Sequence, residues 1–210
     1  MALEFYYASG SPYGWRVWLA LEHKAIPHEV KTLSFDAGDI ETPAFTAINP
    51  RQRIPAIVDD GFALYESAAI VEYLEDKWPR EPRVFASDVR GRALQRRLIQ
   101  EADQYVNPAM HLVFDAVGDE GTGKKVAEAR KALLEELARW DGFIAGDFIA
   151  GPLSAVDFTL FPMLALVHRL AARRAPALTE GGLGGPKLAA WMKRMEALPV
   201  MQKTWPPHWR

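Results

Sequence analysis

The sequence predicts an α/β domain followed by an all-helical one. The first spans residues 1–78, the second residues 88–210, and residues 79–87 link them. Three observations carry this. Strand-like and helix-like segments alternate up to residue 78. Strand signals stop beyond the proline-rich stretch containing Pro79 and Pro82. The first 80 residues hold 7 Lys/Arg against 12 Asp/Glu, a net −5, whereas the remainder is net +3.

The first domain reads β-α-β, a loop, then β-β-α. Residues 3–7 form a short apolar strand. Ser11-Pro12 opens a helix to about residue 24, apolar nearly all round through Trp15, Val17, Trp18, Leu19, Ala20 and Leu21 and therefore buried. Residues 27–32 form a second strand, and a β-α-β unit implies a parallel pair. Residues 34–50 are loop with one short helix. A third strand covers 54–58, Asp59-Asp60-Gly61 signals a hairpin turn, and a fourth strand follows at 62–64. A helix over 66–78 places Ala69, Ile70, Tyr73 and Leu74 on one face.

The second domain begins with a long amphipathic helix, 88–117, which Pro108 should kink. A Gly-rich loop is expected at 119–124, then helices at 125–145 and 154–172. A Gly-rich turn at 179–186 and a last short helix at 187–197 follow. Ser154-Ala155-Val156-Asp157 has the spacing of a capping box, with Leu153 and Phe158 placed for a hydrophobic staple.

Composition narrows the function. With 25 basic and 27 acidic residues, no bulk charge field points to nucleic acid or an anionic membrane. The chain has no cysteine, which excludes disulfides, thiolate metal sites and cysteine nucleophiles. Its five histidines show no metal-ligand spacing, so no metal is expected. The N-terminus lacks the basic start and apolar run of a signal peptide, and no apolar stretch reads as long enough to span a membrane; a cytoplasmic protein is expected.

Three segments carry candidate chemistry. Ser11 stands where a helix N-cap belongs, with Pro12 in the first turn. The helix dipole and free N–H groups there favour an anion, and a thiol bound beside them ionises more readily. Taken alone, Ser11 reads more readily as an ordinary cap. Asn49-Pro50-Arg51-Gln52-Arg53-Ile54-Pro55 brings a proline into a strand, either as a cis bond or as an edge residue. A cis bond would turn the Ile54 backbone outward to pair with a peptide-like ligand. Arg51, Gln52 and Arg53 could meet a carboxylate. Glu66 and Ser67 open a helix, as first-turn caps or as a site where Ser67 holds a carboxylate and Glu66 an ammonium. The three sites suit one ligand with a carboxylate and amine at one end, a peptide in the middle and a thiol.

In order and spacing, Ser11-Pro12-Tyr13-Gly14-Trp15-Arg16-Val17, Asn49-Pro50-x-x-x-Ile54-Pro55 and Glu66-Ser67-x-x-Ile70-x-x-Tyr73-Leu74 resemble the soluble glutathione transferase family. The likeness is to its serine-type groups: zeta, tau, phi or a related bacterial branch. It implies a thioredoxin-like N-terminal domain, glutathione as co-substrate and a homodimer. It assigns Ser11 as the activating hydroxyl, Ile54 as the binder of the cysteinyl backbone ahead of a cis Pro55, and Glu66 and Ser67 to the γ-glutamyl end. The position of Arg53 often holds Gln in the family. Gly151 to Phe158 resembles the family's buried capping motif, which serves folding.

The implied reaction directs the glutathione thiolate at a small hydrophobic electrophile. Candidates for that pocket, in a cleft between the domains, are Tyr13, Tyr105, Met110, Phe114 and the tail residues Trp205 and Trp209. The same site admits glutathione-dependent isomerisation or reduction of a peroxide or disulfide. A non-catalytic interaction module of this fold is a third reading. The joint presence of Ser11, Pro55, Glu66 and Ser67 argues against it.

Overall fold

The computed structural model describes residues 3–118 and 123–209. The chain begins with β1 (Leu3–Tyr7), α1 (Pro12–His23) and β2 (His28–Thr32). A 3-10 turn (Asp39–Glu41) and α2 (Pro43–Ile48) fill the loop. Next come β3 (Ala56–Asp59), β4 (Phe62–Tyr65) and α3 (Ser67–Lys77). The helical part runs through α4 (Val89–Glu101), a π-helical turn (Ala102–Val106), α5 (Asn107–Gly118), α6 (Gly123–Phe143), α7 (Ala155–Arg174) and α8 (Pro186–Glu196). A further helix, α9 (Pro199–Thr204), follows. Contacts divide the chain into two units: Met1–Val84 with Pro199–Arg210, and Phe85–Leu198.

In the first unit the strand order is β2-β1-β3-β4, with β1 parallel to β2 and the other pairs antiparallel. Phe5 faces Val30 on one side and Ile57 on the other, and is fully buried. Asp60 and Gly61, at φ +51° and +84°, form the two-residue turn between β3 and β4, as a type I′ hairpin demands. This is a thioredoxin-like sheet with helices, as the resemblance implied.

The end of α1 shows a local conflict. Ile26 N–H donates to Leu21 C=O at 3.0 Å and Ala25 N–H to Glu22 C=O at 3.2 Å. That bonding pattern closes a helix through a left-handed residue, a place normally taken by glycine. Ala25 holds it, at φ +50° and exposed. Ala25→Gly is therefore expected to raise stability by about 0.5–1 kcal/mol. It should move the urea midpoint upward with an unchanged slope; a lower midpoint would refute the strain argument.

The stretch expected as a linker is fastened down. Lys24 and Glu75, both buried, pair at 2.8 Å. Lys24 Nζ also donates to the carbonyls of Arg80 and Pro82, and Glu75 Oε2 accepts from Val84 N–H at 3.1 Å. Beyond that point Ala86 N–H donates to Gln95 of the second unit at 2.7 Å. Residues 79–84 thus belong to the first unit and 85–87 to the second. The tail, read from sequence as part of the helical domain, groups with the first unit.

In the second unit the expected single helix over 88–117 is interrupted. Pro108 has no N–H and crowds the preceding turn. The chain widens just before it into the π turn, where Asn107 N–H reaches Ala102 C=O. Residues 119–122 of the expected Gly-rich loop lie outside the described residues, and Gly123 and Lys124 already belong to α6. One sequence expectation is corrected here. α7 is long and apolar enough to cross a membrane by length and composition, but 78% of its apolar window is buried. It is the core helix of this unit, with Phe158, Leu160, Phe161, Leu164 and Val167 inaccessible to solvent.

Asp157 organises the start of α7. Its Oδ2 accepts from the Ser154 N–H at 2.9 Å and the Ser154 hydroxyl at 3.0 Å. Its Oδ1 accepts from Ile149 N–H at 3.0 Å and the Trp191 indole at 2.8 Å. The capping box expected from Ser154 and Asp157 is present. Burial pushes the Asp157 carboxyl up, against the pull of these four hydrogen bonds.

Candidate active site

The first unit gathers Ser11, Arg53, Ile54, Pro55, Glu66 and Ser67 on the segments that enter its strands and helices. Ser11 is the N-cap of α1, and its Oγ accepts from Gly14 N–H at 3.2 Å. The hydroxyl hydrogen is not spent on that bond, so Ser11 can cap the helix and donate to an anion together. The turn before it is braced by Tyr7, whose hydroxyl accepts from Gly10 N–H at 3.3 Å. Burial pushes the Tyr7 phenol up.

Ile54–Pro55 is a cis peptide, which selects one of the two alternatives left by the sequence. The pairing of β3 with β1 begins at Ala56, so Ile54 lies just outside the ladder. Its side chain is anchored with Ala8, Phe45 and Ala56 in a small cluster under the loop. Arg51 and Arg53 join Pro50 and Tyr65 in lining a recess of about 460 Å³. Gln52 turns away from them: it sits at φ +53°, and its amide donates to Thr46 Oγ1 at 3.1 Å.

At the start of α3, Glu66 occupies the cap position at φ +71°, ψ 107° and makes no side-chain capping bond. Ser67 is the first helical residue. Its Oγ accepts from Arg16 Nη1 at 3.0 Å instead of capping the helix. The first N–H groups of α3 are therefore left without a side-chain cap, as an anion site requires. Glu66 is exposed and holds a backbone conformation that costs on the order of 1–3 kcal/mol in a non-glycine residue.

Arg16 received no separate role in the sequence reading. It is 2% exposed, donates to Ser67, and lies with its guanidinium 5.5 Å from the Tyr13 ring centre. The signal for it was present: one arginine within an otherwise apolar helix face.

The pocket candidates do not converge within either unit. Tyr13 lies on α1, in the first unit. Tyr105, on the π turn, lines a groove of about 460 Å³ between α5 and α6, together with Pro108, Leu112 and Arg139. Met110 is buried in the helical core, and Phe114 is half-buried beside His111, 6.1 Å between rings. Neither lines that groove. Trp205 and Trp209 pack edge-on against Trp15 of the first unit, at 5.2 and 5.6 Å.

A thioredoxin-like unit with a capping hydroxyl at the start of α1, a cis-proline leading into β3 and an uncapped start of α3 has the chemistry to accept an anionic, peptide-like thiol. Comparison with known proteins agrees. Residues 10–77 match the pattern of the glutathione S-transferase N-terminal domain, and residues 123–194 that of the C-terminal domain. A maleylacetoacetate isomerase of Mus musculus is 30% identical over 199 residues, covering 91% of this chain and 87% of that protein. Glutathione S-transferase A of Pleuronectes platessa is 26% identical over 212 residues, covering 97% and 91%. The crystal structure of a glutathione S-transferase from the Antarctic clam Laternula elliptica superposes with a TM-score of 0.84 at 28% identity, covering 100% of this chain and 94% of that one. The chain belongs to the glutathione S-transferase family.

Proposed function

We propose that this enzyme binds glutathione in the first unit and uses the Ser11 hydroxyl to hold the thiol as a thiolate. The observation that carries the reading is Ser11 itself, whose oxygen takes the helix cap while its hydrogen is left to donate. The hydrogen bond and the positive end of α1 both favour the charged thiolate over the thiol, and each pKa unit gained is worth about 1.4 kcal/mol. Ile54, ahead of cis Pro55, pairs with the cysteinyl backbone. Ser67 and the α3 N–H groups hold the γ-glutamyl carboxylate, Glu66 its ammonium, and Arg53 supplies a cation at the recess edge. The thiolate then attacks a small hydrophobic electrophile. Tyr13, Tyr105, Met110 and Phe114 remain the candidates for its pocket, with Met110 the least accessible. The proposed assembly is a cytoplasmic homodimer, on the strength of family membership. A sedimentation profile showing only single chains at micromolar concentration would remove the dimer.

The test is isothermal titration with glutathione, followed by ultraviolet difference spectra against pH. Thiolate absorbance titrating well below the free thiol value of about 8.5 is expected. No binding at millimolar glutathione would overturn the reading.

Glu66 offers a sharper check. Glu66→Gly is expected to relieve the φ +71° conformation, holding or raising thermal stability. It should also weaken glutathione binding about tenfold through loss of a charged partner. Tighter or unchanged binding would remove Glu66 from the site.

A second reading rests on the Mus musculus relative, a maleylacetoacetate isomerase. There the thiolate would add to a cis double bond, the resulting single bond would rotate, and elimination would return glutathione unchanged. Loss of maleylacetoacetate absorbance in catalytic glutathione distinguishes this from conjugation, which consumes glutathione in proportion.

A further inference from the structure

One polar chain in the first unit, outside the residues assigned above, is tied to the turn that carries Ser11. After α9 the chain runs through Trp205 and Pro206 into a 3-10 turn, Pro207–Trp209. Trp15 fastens this segment. Its indole donates to Thr204 Oγ1 at 2.8 Å, and both tail tryptophans stand edge-on to its ring. His208 is thereby carried to the Ser9–Gly10 turn, with Nδ1 2.8 Å from Ser9 Oγ. The Trp209 indole donates to His208 Nε2 at 2.9 Å. An indole nitrogen can only donate, so Nε2 is the acceptor and Nδ1 carries the hydrogen given to Ser9. The imidazole also lies against Gly10, at φ +88°: a Cβ there would come within 3.0 Å of His208 Cε1 and 3.3 Å of Trp209 Nε1. Ser11 is the next residue, and its N–H closes the same turn on Ala8 C=O at 3.2 Å.

We infer that His208 is a positioning residue for the thiol site, the Trp209–His208–Ser9 chain holding the turn that aims the Ser11 hydroxyl. The inference rests on Ser11 being the thiolate donor. Edge-on packing against Trp15 already anchors the tail. The Ser9–His208 hydrogen bond is exposed and adds little stability in water. What it fixes is the direction of a glycine-containing turn, and an activating hydroxyl displaced by a fraction of an ångström loses much of its effect.

The test compares His208→Ala, His208→Asn, Ser9→Ala and Ser11→Ala in the full-length protein. It uses glutathione and 1-chloro-2,4-dinitrobenzene, with ultraviolet titration of the bound thiol. His208→Ala is expected to lower kcat about fivefold, the worth of one hydrogen bond. Glutathione KM should stay within about twofold, and the bound thiol should titrate at higher pH. Asn places an amide N–H where Nδ1 stood and should restore most of the loss. Ser9→Ala should match His208→Ala, and the double variant should be no worse than either. If kcat and thiol titration stay at wild-type values in His208→Ala and Ser9→Ala while Ser11→Ala fails, the inference is wrong and the Ser11 assignment stands. If His208→Asn does not rescue and melting falls in step with activity, His208 only packs, which also overturns it. If Ser11→Ala keeps full turnover, the Ser11 assignment falls and takes this inference with it.

Discussion

Replacing Ser11 by alanine is expected to lower kcat with glutathione about 100-fold, the loss typical of one hydrogen bond made to a charged reacting group. Glutathione KM should change far less, because the peptide and γ-glutamyl contacts of the ligand lie elsewhere, at Ile54 and at the start of α3. The bound thiol loses the donor that favours its charged form, so its pKa should rise toward about 8.5. The rate profile should therefore shift to higher pH, with part of the activity returning in alkaline buffer. Ser11→Thr keeps both the hydroxyl and the cap and should retain most turnover. The cap lost in Ser11→Ala costs on the order of 1 kcal/mol of stability, so folding must be monitored alongside. Wild-type kcat in a folded Ser11→Ala protein would show that the hydroxyl does not serve the thiolate.

The largest effect on stability is expected at Asp157. Its two oxygens accept four hydrogen bonds in a site with no solvent access. Asp157→Ala leaves the Ile149 and Ser154 N–H groups, the Ser154 hydroxyl and the Trp191 indole buried without that partner. A loss of about 3–5 kcal/mol is expected, a large share of the total stability of a protein this size. Asn is a poor substitute, because its NH₂ would face hydrogen-bond donors where the carboxylate presents only acceptors. Ser154→Ala removes one donor from the same cluster and should cost only about 1 kcal/mol. Chemical denaturation of the three variants gives the ranking directly. Asp157→Ala as mild as Ser154→Ala would show that the cluster relaxes or admits water.

Local signals carried most of what could be read from the sequence. Ser11-Pro12 announces a helix start by chemistry confined to adjacent residues, and Ser154 to Asp157 does the same for α7. The β-α-β order required the parallel pair that Leu3–Tyr7 and His28–Thr32 make. What escaped depends on distant partners or on backbone geometry. α9 has six residues, too few to show a period, and its ties to α1 include a hydrogen bond between Trp15 and Thr204, 189 residues apart, and an ion pair between Lys203 and Glu22. Pro108 foretold a disturbance but not that the helix would widen ahead of it. Nothing in the residue type of Glu66 marks a positive φ. The strained glutamate becomes visible only once the sheet and α3 fix both sides of it. The pocket candidates, large side chains expected to face a cleft, are separated by burial, which the sequence does not show: Tyr105 is 55% exposed and Met110 2%.

The membership of the first unit has a consequence for biosynthesis. Its chain is discontinuous: residues up to Val84 are joined by those from Pro199 onward. A ribosome adding about 5–20 residues per second needs on the order of ten seconds to traverse the intervening segment. Through that interval the nascent sheet domain carries Trp15 without Thr204, Trp205 or Trp209 to cover it. Domains that close early in synthesis can fold vectorially. This one can complete the packing around Trp15 only after the tail has been made.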